Sequence, residues 1–102
     1  MRELSDATFE AEVLHAERPV VVDFRAPWCR PCDAVEPVLE ELAADHGERV
    51  TFARIDIDAN PLAAARYGVL SLPTVMLFEG GEPRQTVVGA RGRAHYEKAF
   101  GF

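Results

Sequence analysis

The sequence predicts an α/β fold with a central mixed β-sheet and helices on both faces. Three observations carry this. The run "VVVDF" is continuously β-branched rather than alternating, as in a strand buried on both faces. Helix-period and strand-period segments alternate along most of the chain. Two strand-like runs near the end flank Gly80–Gly81 and read as a hairpin, which adds antiparallel pairing to an otherwise parallel pattern. The 102 residues suit one domain spanning 1–102, and 48% hydrophobic with 27% charged residues is the composition of a packed globular chain.

The elements follow in order. "LSDATFEAEVLHAERP" reads as a short first helix, with Asp6 or Thr8 as cap, Phe9 and Val13 on one face, and Pro19 closing it. "VVVDF" is the first strand. From Cys32 to His46 the residues Val35, Val38, Leu39 and Leu42 form one apolar stripe, with Glu36, Glu40, Glu41 and Asp45 turned mostly away. Pro37 falls inside this helix and is expected to bend it; Gly47 is expected to cap its end. "VTFARIDID" is a second strand. "NPLAAARYG" is a short helix with Asn60 as cap, Pro61 in its first turn and Gly68 at its end. The hairpin runs from Thr74 to Glu79 and returns through Thr86 to Val88. "GRAHYEKAF" closes the pattern as a helix with Tyr96 and Phe100 on one side.

Composition excludes several functions. Eleven basic and seventeen acidic residues leave a net charge of −6, and no basic stripe with interleaved aromatics offsets it, so nucleic acid is not the expected partner. No apolar run approaches the roughly 20 residues of a membrane helix. The opening "MRELSDATFE" lacks the basic-then-apolar profile of a signal peptide, so the expected location is the cytosol.

The only two cysteines stand in "WCRPC", residues 28–32. A structural disulfide would close a four-residue loop, worth roughly 2 kcal/mol, and would be unreliable in a reducing compartment. A zinc site wants four ligands, and there is no second Cys pair; His15, His46 and His95 are scattered singly. A redox pair fits the local geometry better. With Cys29 as helix cap and Pro31 lacking an N–H, the Cys29 sulfur can accept the Cys32 N–H at the positive end of the helix dipole. Lowering a thiol pKa from ~8.5 toward ~7 raises the thiolate fraction at pH 7 from about 3% to about half. One sulfur then attacks a disulfide and its neighbour resolves the intermediate. Asp23, within "VVVDF", is costly to bury ionised. Two roles fit it equally on pattern alone: a general base for Cys32, or a strand-edge carboxylate bonded to a nearby loop.

Taken together, "VVVDFRAPWCRPC", "IDIDANPLAAARYGV", "LPTVMLFEGGE" and "VVGA" resemble the thioredoxin family in order and spacing over essentially the whole chain. The resemblance implies the thioredoxin fold and the reduction of protein disulfides. It implies no tightly bound cofactor and no metal, with NADPH supplying electrons through thioredoxin reductase as partner, and a monomer as the default state. By position, Cys29 matches the nucleophile, Cys32 the resolving thiol and Asp23 the buried carboxylate that assists it. Arg54 stands where a lysine often neighbours that carboxylate, and Pro73 matches a cis-proline. Trp28, Arg30, Pro31, Leu72, Pro73, Gly89 and Ala90 would meet the substrate. Three residues depart from the pattern. Arg25 replaces a usual tryptophan, Arg30 a usual glycine, and Asp33 a usual basic residue; the arginines are expected to favour thiolate and Asp33 to oppose them. Arg30 also reads simply as a solvated surface side chain. Two rivals stand beside this reading: a binding module with incidental redox chemistry, and a glutathione-linked, glutaredoxin-like enzyme. The intact Cys pair with Asp23 weighs against the first. Trp28 directly before Cys29, with Asp23 in the strand, weighs against the second.

Overall fold

A computed structural model describes residues 1–102. Its strands are β1 (Arg2–Leu4), β2 (Val20–Arg25), β3 (Thr51–Asp56), β4 (Thr74–Glu79) and β5 (Glu82–Val88). They form one sheet in the order β1-β3-β2-β4-β5, in which β2 lies parallel to β3 and antiparallel to β4. The helices are α1 (Arg30–His46), α2 (Pro61–Arg66) and α3 (Arg93–Phe100). This is the mixed, doubly covered sheet that the sequence predicts.

The run "VVVDF" is buried throughout because successive side chains serve two cores. Val20, Val22 and Phe24 pack with Phe9, Val13, Ala63 and Ala64 on one face. Val21 points to the other, among Val35, Leu39 and Leu42 of α1 and Tyr96 and Phe100 of α3. A strand with a core on each face cannot alternate polar with apolar. Asp23 is therefore an exception, and it lies on the α1 side.

Several local expectations change. Residues 2–4 form a strand paired parallel with Ala53–Ile55, too short to show a period in the sequence. The expected first helix is a single wide turn, Glu10–Leu14, closed by a His15 N–H to Glu10 carbonyl bond. Before it, Ser5 and Thr8 bond reciprocally, each side-chain oxygen accepting the other's backbone N–H. Asp6 does not cap that turn. Its carboxylate accepts the N–H groups of Leu62 and Ala63, both at 3.1 Å, so it caps α2 from far along the chain. Asn60, expected in that role, instead accepts the Asp6 N–H and donates to the Asp56 carbonyl. Gly47 follows α1 as expected but in right-handed conformation. Its lack of a side chain matters because a Cβ there would lie 2.5 Å from the Ala43 carbonyl oxygen. Helix α1 runs unbroken past the exposed Pro37.

The hairpin turns at Gly80 and Gly81, with φ of +61° and +81°, as a tight primed turn demands. Strand β5 is longer than expected, beginning at Glu82. Pro83 is tolerated because β5 is an edge strand with only Val87 buried.

The Asp6 bonds make a checkable case. Asp6→Ala leaves two N–H groups of α2 without their carboxylate and is expected to cost about 1 kcal/mol, read as a Tm lower by about 4–8 °C. A Tm unchanged within 1 °C, by the same scale well under the cap's expected contribution, would show that water replaces the carboxylate without loss.

Candidate active site

Strand β2 ends at Arg25, and a short loop through Ala26 and Trp28 leads into α1. Cys29 is the helix cap, with extended backbone (φ −88°, ψ 104°), and its sulfur accepts the Cys32 N–H at 3.2 Å. Arg30 and Pro31 open the helix, so the proline's missing N–H leaves no group unsatisfied there. Cys29 and Cys32 are joined as a disulfide, their Cα atoms 5.3 Å apart. Both are buried and pack with Ala26, Ile57 and Leu72. The arrangement puts a sulfur at a helix N-terminus, where an N–H and the helix dipole both favour negative charge.

Asp23 is fully buried, and neither carboxylate oxygen has a protein hydrogen-bond partner. In register it stands between Arg54 of β3 and Val75 of β4. Burial raises its pKa from 3.8 to about 7, against the opposing pull of Arg25 and then Arg54. The strand-edge reading, a carboxylate bonded to a loop, does not hold: it has no such bond. Arg54 is shared between Glu3 of β1, at 2.8 Å, and Glu36 of α1. Glu36 and Cys32 lie one helical turn apart, on the same side of α1. Since Glu36 reaches the residue paired with Asp23, that side of α1 lies over the carboxylate.

Asp33 meets one of the two arginines directly: it pairs with Arg25, its Oδ1 accepting from Nη2 at 2.9 Å. Arg30 is exposed and makes no ion pair.

Beside the disulfide opens an apolar cavity of about 660 Å³, lined by Trp28, Cys29, Arg30, Pro31 and Leu72 together with Ile57, Val69 and Leu70. Leu70 is 96% exposed and Trp28 67%. The Trp28 indole is held by its N–H donating to Asp58 Oδ2 at 2.7 Å. Pro73, preceded by a cis bond, is buried, and its carbonyl accepts the Gly89 N–H at 2.8 Å. Gly89 and Ala90 fall outside the cavity lining. Tyr96 secures that segment from α3, its hydroxyl donating to the Gly89 carbonyl at 3.2 Å; burial raises its pKa. Sequence reasoning missed Ile57, Val69, Leu70 and Asp58. The loop "YGVLSLP" offered one signal, two leucines in a stretch with no helix or strand period, whereas nothing local marks Asp58, which is 30 residues from Trp28. No group of three or more His, Cys, Asp or Glu side chains is gathered as a metal would require.

A disulfide at a helix N-terminus, beside a strand that carries a buried carboxylate and open to an apolar cavity, has the parts of a thiol–disulfide oxidoreductase. Residues 1–100 match the protein-family model described as Thioredoxin. A thioredoxin of Streptomyces clavuligerus is 46% identical over 94 residues, covering 92% of this chain and 87% of that protein. One from Mycolicibacterium smegmatis is 48% identical over 93, covering 89% and 83%. A bifunctional thioredoxin reductase/thioredoxin of Mycobacterium leprae is 49% identical over 92 residues, 90% of this chain but 20% of that longer protein. The chain belongs to the thioredoxin family. It is a protein-disulfide reductase working through the Cys29–Cys32 pair.

Proposed function

We propose that reduced Cys29 attacks an exposed substrate disulfide, forming a mixed disulfide and releasing one substrate thiolate. Cys32, deprotonated by Asp23, then attacks the Cys29 sulfur. The second substrate thiol leaves, and the Cys29–Cys32 disulfide remains. Two electrons and two protons pass to the substrate, and no bound cofactor takes part. The observation that carries this is the Cys32 N–H on the Cys29 sulfur, in a site whose neighbouring strand holds a buried carboxylate with no hydrogen-bond partner. Trp28, Arg30, Pro31 and Leu72 receive the substrate chain, with Pro73, Gly89 and Ala90 offering backbone beside them.

The dithiol is restored by NADPH through a thioredoxin reductase. The printed name of the Mycobacterium leprae relative, which joins both activities in one protein, supports that partner. The chain acts as a single domain, a monomer in the cytosol; no helix is long and apolar enough to cross a membrane. The test is reduction of a protein disulfide with NADPH and a thioredoxin reductase. Rapid recycling by glutathione, with none by the reductase, would favour the glutaredoxin-like alternative.

Arg30 bears on the potential. An exposed charge near a helix end contributes about 0.3–1 kcal/mol, and 30 mV equals about 1.4 kcal/mol for two electrons. Arg30→Gly is therefore expected to make the couple more reducing by no more than about 20 mV, measured by equilibration in glutathione buffers. A change of about 60 mV or more would make Arg30 a principal determinant. The parent is expected near ~−270 mV; a value above ~−200 mV would point to an oxidase or isomerase.

A further inference from the structure

Two of the departures from the family pattern meet in space. Arg25 ends β2 and Asp33 lies in the first turn of α1, and their ion pair joins the strand to the helix across the loop that holds Cys29. The two ends of this pair differ. The Arg25 side chain is 15% exposed and that of Asp33 is 61%. Exposed ion pairs add little stability, so the pair calls for another explanation.

The buried end supplies it. Asp23 and Arg25 are alternate residues of one strand, so both side chains stand on the face covered by α1, with Cα atoms about 6.5–7 Å apart. Among all buried side-chain polar atoms, four have no hydrogen-bond partner; three of these are Asp23 Oδ1, Asp23 Oδ2 and Arg25 Nε. An orphan cationic donor and two orphan carboxylate acceptors thus belong to residues two apart on the same face of β2. Buried groups of this kind are costly unless their charges offset one another. Asp33 makes the only ion pair that Arg25 has. It holds the outer nitrogen at the rim while Nε stays inside.

We propose that Asp33 fixes Arg25 as a cation against the Asp23 carboxylate, so that the two act as one positioning unit for the group that receives the Cys32 proton. This rests on the reading of Asp23 as that proton acceptor. The remaining charged and titratable neighbours of Asp23 are Arg54 of β3, already shared between Glu3 and Glu36, Cys32 and Glu36 of α1, and Tyr96 of α3 with Arg91 beyond it. Strand β4 contributes only the apolar Val75 opposite. Arg25 is thus the cation on β2 itself that no second carboxylate competes for. Without Asp33, the guanidinium would be left partly buried and unpaired, and its long stem would let it turn out to water. Asp23 would then lose a favourable charge.

The test is the titration of the Asp23 carboxyl carbon by ¹³C NMR in the oxidised protein, where neither cysteine titrates, with Asp23→Asn to assign the signal. Arg25→Gln and Asp33→Asn are each expected to move the midpoint upward, by up to about one pH unit. The double variant should move it no further than Arg25→Gln alone. A midpoint that falls or stays in Asp33→Asn, or shifts that simply add in the double variant, would overturn the unit. Asp33 is exposed, so Asp33→Asn decides the matter even if Arg25→Gln does not fold. Failure of the underlying reading is separate: Asp23→Asn would then leave the rate and pH profile of insulin reduction unchanged.

Discussion

Cys29→Ser is expected to abolish disulfide reduction, by about 10³-fold or more, with the fold intact. The loss is this large because no other group in the cavity can replace the sulfur. Serine's hydroxyl has the size to keep the cap and can still accept the Cys32 N–H. It is not ionised near neutral pH, and it cannot form the mixed disulfide on which the electron transfer depends. Cys29 lines the cavity whereas Cys32 is fully buried and does not, so Cys32 cannot serve in its place. Cys32→Ser should behave differently. Its Cys29 can still attack, but nothing resolves the intermediate, so a covalent complex with a protein substrate should accumulate and appear on a non-reducing gel. Cys29→Ser should trap none. The opposite pattern of trapping would exchange the roles of the two sulfurs.

Asp23→Asn is expected to stabilise the protein at pH 8 while slowing it. In the unfolded chain this carboxyl has its ordinary pKa of 3.8, and in the fold burial holds it at about 7. Below pH 3.8 both states keep the proton and the group carries no penalty. As pH rises through 7 the unfolded state has already ionised, while the folded state must ionise a buried carboxylate without hydrogen bonds. The stability present at low pH is therefore lost between about pH 4 and 7, and the full loss is on the order of 4 kcal/mol. Asparagine has the same shape and no charge, so the variant should escape this loss. Denaturant unfolding at pH 8 should show it more stable by about 4 kcal/mol, with the gain shrinking toward zero near pH 4. Equal stability of the two proteins at pH 8 would mean that the carboxylate is solvated. Turnover at pH 7 should fall by about 10- to 100-fold, at or below the lower end of general-base contributions, because a thiol near neutral pH already loses its proton in part to water. The proposed use of its proton gives a physical reason for keeping a destabilising carboxylate in the middle of a core strand.

Much of this was legible along the chain. The unalternating "VVVDF" announced a strand between two cores, and the structure distributes its residues to both. The i+3 spacing of the cysteines with Pro31 between them implied the cap and the sulfur-bound N–H that are found. The Gly80–Gly81 turn and the α1 stripe were equally local signals. The misreadings share a cause: a polar side chain can satisfy any suitable partner, and sequence proximity favours the wrong one. Asp6 looked like the cap of its own segment yet caps α2. Asn60 sat at the right place for that cap and bonds elsewhere.

The sequence by itself determined the periodicities, and so the layered α/β fold, and it determined the redox centre, because a cap, a proline and two thiols within four residues interact through bonds that span one helical turn. Only the tertiary structure decided how the charges around that centre pair. Asp33 pairs with Arg25 across a loop whose course no local rule sets. Asp58 anchors Trp28, and Ile57, Val69 and Leu70 complete the cavity, from segments about 25 to 40 residues beyond the cysteines. Backbone conformation answers to neighbours a few residues away, whereas electrostatic and apolar contacts act through space and are settled only when the sheet brings distant strands to the same end.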